Sequence, residues 1–196
     1  CAPASQNESS IVGVDTNALY RRALGRLVEK GRKRIAILHM ADTTQDVDHA
    51  ALFAAFGLKL HRPWIQWIGR SHPQFAENLV TLLLDAPIKT RPDGLIIADD
   101  NLIEHAAAGI VATGLRVGHD LDVIAHCNWP WPLPSVLPME RIGFDATDIL
   151  RRAIESIVAQ QSGRKHLSIE SVPPLFEWEV KPPTRLPSPK QSRKPH

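Results

Sequence analysis

Along this chain, short apolar runs alternate with longer stretches whose apolar residues recur at helical spacing, a pattern that predicts strand–helix units rather than hairpins or helix bundles. Ile11 to Asp15 reads as a strand. Ala18 to Lys30 then reads as a helix with Leu19, Ala23, Leu27 and Val28 on one face and Gly31 ending it. The cycle continues through strand Arg34–Met40, a helix over about Gln45 to Phe56 closed by Gly57, strand Trp64–Ile68, helix Pro73–Leu84, strand Gly94–Ala98, helix Asn101–Thr113 and strand Leu121–His126. Five strands separated by four helices predict an α/β fold, a mostly parallel, doubly wound sheet with helices on both faces. A Pro-rich loop from Trp129 to Pro138 interrupts the rhythm. Beyond it, Ile142 to Gln161 reads as one long helix and Leu167 to Val172 as a last strand or two.

Composition narrows the class. With 196 residues, 43% of them hydrophobic and 22% charged, the chain can bury a core without a disulfide framework. Its two cysteines, Cys1 and Cys127, form at most one optional pair, which reads as a reducing, cytoplasmic setting. No apolar run approaches the ~18 residues of a membrane span. The net charge of +2 hides an asymmetry, because residues 181–196 hold five cations and five prolines without an acid or an aromatic ring. Without that tail the chain has 18 basic and 21 acidic residues, so the folded part is not a basic nucleic-acid binder in its own right. Residues 1–10 and 179–196 are expected to be flexible ends around a folded domain over 11–178. A first residue of Cys1 followed by a small, polar stretch fits either a lipoprotein after removal of its leader or a fragment of a longer chain.

In open sheets of this kind the ligand lies at the carboxyl ends of the strands. That rule selects Asp15–Asn17, His39–Thr44, Gly69–His72, Asp99–Asn101 and His126–Trp129. Catalytic and nucleotide-binding signatures are absent: there is no Gly-x-Gly-x-x-Gly, P-loop, Gly-x-Ser-x-Gly or His-Glu-x-x-His, and no cofactor is implied. Asp46, Asp48 and His49 could offer metal ligands from a loop, but acids there equally suit the first turn of a helix, and no metal is expected. Asp99 and Asp100 read either as an acid/base pair or as the cap of the helix beginning at Asn101. Cys127 follows a strand but lacks an evident activating base beyond His126.

Several segments together resemble the LacI/GalR family of bacterial transcriptional regulators. Val12-x-x-Asp15 before a helix, and Gly31-Arg32-Lys33-Arg34-Ile35-Ala36-Ile37 after it, are similar to that family's Val-x-x-Asp and Gly-His-Arg-Arg-Ile-Ala. The run from Pro92 to Asp100 resembles its strand ending in Ala-Asn-Asp. Gly114-Leu115-Arg116-Val117 through Ile124 resembles its Gly-Leu-x-Val-Pro-x-Asp-Ile-Ser-Val-Ile, and Val136-Leu137-Pro138 its Thr-Val-x-x-Pro. The resemblance implies a two-lobed effector domain of the periplasmic-binding-protein type behind a helix-turn-helix headpiece, of which this chain holds the later portion. DNA would then be reached only through a headpiece outside this chain. It implies a small polar, sugar-like effector, a homodimer and a repressor-type regulator.

The resemblance also assigns site residues. The family's effector-gripping Arg corresponds to Gln45, its Ala-Asn-Asp to Ala98-Asp99-Asp100, and its Gly-Phe/Tyr-Asp-Asp to Ala125-His126-Cys127-Asn128. Asp99, Asp100, Gln45, His126 and Asn128 are thus the expected polar ligands, with Trp67 or Trp129 packing on an apolar face of the effector. Two other readings use the same residues: a solute-binding lipoprotein of a transporter, and an enzyme built around Asp99, Asp100, His126 and Cys127. The apolar arc Leu102, Ile103, Ala106, Ala107, Ile110 and Val111 on helix Asn101–Thr113 either faces a second subunit or is buried within one.

Overall fold

The computed structural model describes residues 12–41, 47–162 and 170–180. Its main sheet has six strands in the order β3-β2-β4-β5-β6-β8. Strands β2 (Ile35–Met40), β3 (Ile65–Ile68), β4 (Gly94–Ile97), β5 (Asp122–Trp129) and β6 (Glu140–Asp145) run parallel. The short β8 (Leu175–Phe176) closes one edge antiparallel to β6. Every residue of β2 and β4 is buried, as expected of strands covered on both faces.

Alternate residues of those strands feed two cores. Ile35, Ile37, Ile96 and Ile124 pack under α1 (Thr16–Glu29) and α2 (His49–Ala55), against Leu19, Leu24, Leu27 and Phe53. Ala36, Leu38, Leu95, Ile97 and Val123 face α3 (Phe75–Leu84) and α4 (Ile103–Ala112). Helix starts are fixed by carboxylates: Asp15 accepts from Ala18 N at 2.8 Å and Asp48 from Ala51 N at 2.9 Å. Asp48 and His49 therefore belong to a helix start. Gly31 ends α1's turn at φ 82°, a left-handed conformation that favours glycine.

Helix α4 resolves the arc of apolar residues. Ile103, Ala106, Ala107, Gly109 and Ile110 are buried within the chain, and α3 approaches so closely that a Cβ on Gly109 would stand 2.6 Å from the Glu77 carbonyl. The arc is consumed by the sheet on one side and α3 on the other. Val111 alone of that set points outward, at 55% exposure.

Three sequence expectations are corrected. Strand β6 occupies the first part of the stretch expected as one long helix, and α5 (Ala146–Gln161) begins only after Asp145, whose carboxylate caps it through Thr147 N and Asp148 N. Strand β5 continues to Trp129, so His126–Trp129 are ladder residues rather than a loop. Strand β1 (Val12–Val14) leaves the main sheet and pairs in parallel with β7 (Glu170–Val172) as a separate ribbon. The Pro-rich segment 130–139 serves as the crossover between β5 and β6, where an α-helix would be usual. Glu179, expected in the flexible end, is ion-paired to Arg22 at 2.5 Å. Among the described residues no helix is long and apolar enough to cross a membrane.

Candidate functional site

The ladder registers assemble a row across the carboxyl end of the sheet. Trp67 on β3 lies beside His39 on β2. Pairing of Leu38 with Ile97, and of Ile97 with Ala125, places His39 next to Ala98 and Ala98 next to His126. Because side chains alternate along a strand, Trp67, His39, Ala98 and His126 share the face covered by α1 and α2. Asn128, two residues beyond His126, faces the same side.

His39 is the most buried polar member. Its Nδ1 lies 2.7 Å from the Tyr20 hydroxyl and its Nε2 3.0 Å from His49 Nε2, while Trp67 stacks on its ring at a centroid distance of 4.0 Å. His49 is also hydrogen-bonded to the Val47 backbone. With the Val47 carbonyl taking one imidazole proton, His49 Nε2 accepts from His39 Nε2–H and His39 Nδ1 accepts from the Tyr20 hydroxyl. One proton then serves each bond and both rings are neutral. Burial, reinforced by His49, pushes the His39 pKa down to about 3. Burial lowers His49 as well, against the Val47 bond and Asp48, and burial together with Asp99 raises Tyr20.

The other end of the row carries the acids. Asp99 Oδ1 accepts from Asn101 N at 3.0 Å and Asn101 Nδ2 at 2.8 Å, so Asp99 caps the 3-10 turn that leads into α4. Asp100 Oδ2 accepts from Asn128 Nδ2 at 2.7 Å, which joins the end of β4 to the end of β5. Between them His126 Nδ1 is buried without a partner. Burial lowers the His126 pKa, opposed by Asp100 and Asp99.

Of the residues expected from sequence, Asp99, Asp100, His126 and Asn128 come together, and Trp67 lies in the same row. Trp129 does not join them. The parity of β5 turns it to the opposite face, where it is buried and its Nε1 donates to the Leu175 carbonyl at 2.9 Å, tying β5 to β8. Gln45 lies outside the described residues. Tyr20 and His49 were not singled out for this site; the available signal was a histidine inside an otherwise apolar strand, which demands a partner.

The row can hydrogen-bond and stack against a small molecule. Cys127, the nucleophile of the enzyme reading, is fully buried, and burial pushes its thiol up to about 12, so no thiolate is on offer. Among the described residues no group of three or more His, Cys, Asp or Glu side chains is placed to hold a metal. Two hollows lie elsewhere: a groove of about 490 Å³ lined by Arg22, Gly25, Arg26, Glu29, Phe176 and Trp178, and one of about 390 Å³ between Val28, Arg32, Phe56 and Lys59. Neither holds a residue of the row. We place the site at the row because its convergent polar groups, rather than hollow volume, match the carboxyl-end rule for such sheets.

Comparison with known proteins agrees with this architecture. The periplasmic binding protein-like domain family matches residues 24–175. A regulatory protein of the LacI family from Chloroflexus aggregans is 23% identical with a TM-score of 0.75, over 84% of this chain and 60% of that one. A LacI family transcriptional regulator from Lactobacillus casei with bound glucose is 14% identical, with a TM-score of 0.66 over 84% of this chain and 62% of that one. The transcriptional regulator CelR in complex with cellobiose is 20% identical, with a TM-score of 0.69 over 86% of this chain and 53% of that one. This chain thus spans about 60% of the length of the Chloroflexus regulator. No curated protein sequence matches the chain. At these identities the solved structures establish the shared fold, and the family match over most of the chain establishes its membership: the chain belongs to the periplasmic binding protein-like domain family.

Proposed function

We propose that this chain is the effector-sensing part of a cytoplasmic LacI-type transcriptional regulator that acts as a homodimer. A small polar, sugar-like molecule binds at the row, and a separate DNA-reading headpiece reports the resulting change in lobe arrangement. The observation that carries this reading is the polar row at the carboxyl end of the sheet, in which Asp100, Asn128, His126 and Trp67 converge on the face where such folds bind ligands. The matched regulators with bound glucose and bound cellobiose support it. The ribbon β1–β7 and α5 fit as part of a first lobe that faces the row across a cleft, since α5 buries none of its residues in this chain. Gln45 is proposed as a further polar ligand, in the place where the resemblance puts an arginine.

Calorimetric titration with neutral, amino and acidic sugars tests the site. Whichever sugar binds the wild-type chain should bind Asp100→Ala about 10- to 100-fold more weakly, the value of a lost hydrogen bond to a charged group. Equal affinity in the two proteins overturns the assignment.

A further inference from the structure

We propose that the row selects a small hydroxylated ligand that carries a positive charge, such as an amino sugar or another polyol amine, over neutral or acidic sugars. The inference rests on the effector reading above and adds the charge class of the ligand.

The first observation is the charge of the site. Asp99 and Asp100 stand side by side at the end of β4, and among the described residues neither is in an ion pair. Cations are few and occupied. Arg141 is within the field of Asp100, but the ladder pairing of Ala125 with Arg141 puts it on the opposite face of the sheet. There it is buried beneath the Pro-rich crossover, donates Nη2 to the Leu133 carbonyl at 2.9 Å and also feels Glu177. Arg70, beyond the end of β3, is itself engaged. His39 and His126 are held neutral by burial. Two carboxylates therefore face the row with no cation of the chain bonded to them.

The second observation concerns which hydrogen-bonding positions are open. Asp99 commits Oδ1 to Asn101, and Asp100 commits Oδ2 to Asn128, leaving the second oxygen of each carboxylate without a partner among the described residues. Asn128 gives its amino group to Asp100, which leaves its own carbonyl oxygen as the free end. The open groups are acceptors, so a complementary ligand is rich in donors. His126 Nδ1 is independent of this acidic group: it is buried within the row and the protein supplies nothing to bond it. It marks a position that a bound molecule would fill.

Energetics make the charge decisive. A neutral sugar docked here would take water from two carboxylates while offering only neutral hydroxyls in return, and unpaired buried charge is costly. An ammonium group brings three donors and the opposite charge, and charge-assisted bonds are roughly twice as strong as neutral ones. An acidic sugar would add repulsion to desolvation.

The test titrates the isotopically labelled 196-residue chain with glucosamine, glucose and glucuronate at about pH 6, where a sugar amine is protonated, and follows the Trp67 indole and Asn128 side-chain NMR signals. Glucosamine should move both signals with an affinity at least about tenfold above either other sugar. In an Asp99→Asn, Asp100→Asn double variant that preference should collapse to within about twofold. Asparagine also caps helical turns, and the amide spectrum reports whether the variant stays folded. Glucose or glucuronate binding as well as glucosamine at these signals would overturn the charge selection and leave the effector site standing. If none of the three sugars moved them, both the selection and the sugar-like reading of the site would fall.

Discussion

Helices α4 and α5 each carry an apolar stripe, yet α4 buries five of its residues and α5 buries none. The difference lies in their neighbours. Helix α4 is clamped between the sheet and α3, close enough that Gly109 admits no side chain without moving the Glu77 backbone. Helix α5 follows the sheet edge beside the small β1–β7 ribbon, and Leu150, Ile154, Ile157 and Val158 remain exposed. A strand–helix pattern identifies which residues want burial, but burial itself requires another layer. The six-stranded lobe has both layers. The ribbon and α5 have one, which is the arrangement expected of an element whose partners belong to another lobe.

The largest effect that would sharpen this contrast is in the lobe. Ile110 is completely buried between the sheet and α3, so Ile110→Ala removes well-packed atoms and leaves a cavity. Urea unfolding should show a loss of about 3 kcal/mol. A loss below about 1 kcal/mol would mean that the α3–α4 layer is loose and that the two regions differ less than their burial implies.

Much of the lobe was readable because fully buried strands such as β2 and β4 are continuous apolar runs, and because Gly31 and Gly57 punctuate the helices. Strand β6 was not readable. Arg141 and Gly143 interrupt its apolar residues, and Arg141 is tolerated inside only because the crossover supplies the Leu133 carbonyl, a fact of tertiary structure. The acids of the row were legible as strand-end residues, whereas their partners were not. Tyr20, His39 and His49 sit on three different elements, and only packing brings 2.7 and 3.0 Å contacts out of separations of 19 and 10 residues. Trp129 shows the same limit from the other side. Once β5 extends past His126, strand parity alone turns that indole away from the row.

A middle-sized effect should appear with pH. His39 has a folded pKa of about 3 against an ordinary value of 6.5. Above 6.5 both folded and unfolded chains carry the neutral ring, and the group adds no pH dependence. As pH falls below 6.5, the unfolded chain binds a proton that the folded one refuses, so stability drops towards pH 3. The expected loss is about 2 kcal/mol between pH 6.5 and 5, at up to ~1.4 kcal/mol per unit for one histidine. His49 and His126 are shifted in the same direction and steepen it. The paired carboxylates Asp122, Glu140 and Glu179 are held below their ordinary values, so their loss is confined to more acid conditions. Denaturation of wild type and His39→Gln across this window measures the term. An unchanged slope in the variant would remove His39 as its source.

The smallest expected effect is the most telling, because the ordinary rule for an apolar helix predicts a large one. Ile154 lies on the apolar stripe of α5 at 61% exposure. Replacing a buried isoleucine with alanine costs about 2–5 kcal/mol, whereas an exposed one loses little packing and alanine gains slightly in helix propensity. Ile154→Ala should therefore change the stability of this chain by less than about 0.5 kcal/mol. Leu150→Ala should behave alike, while Ile110→Ala remains costly in the same assay. If Ile154→Ala costs more than about 2 kcal/mol, the α5 face is already covered in solution. Sedimentation of wild type and variant would then separate the two sources of cover: a dimer that the substitution dissociates places a second copy on α5, and an unchanged monomer places the cover within the chain. A near-zero cost leaves the stripe open for the remainder of a first lobe, as the proposed two-lobed arrangement requires.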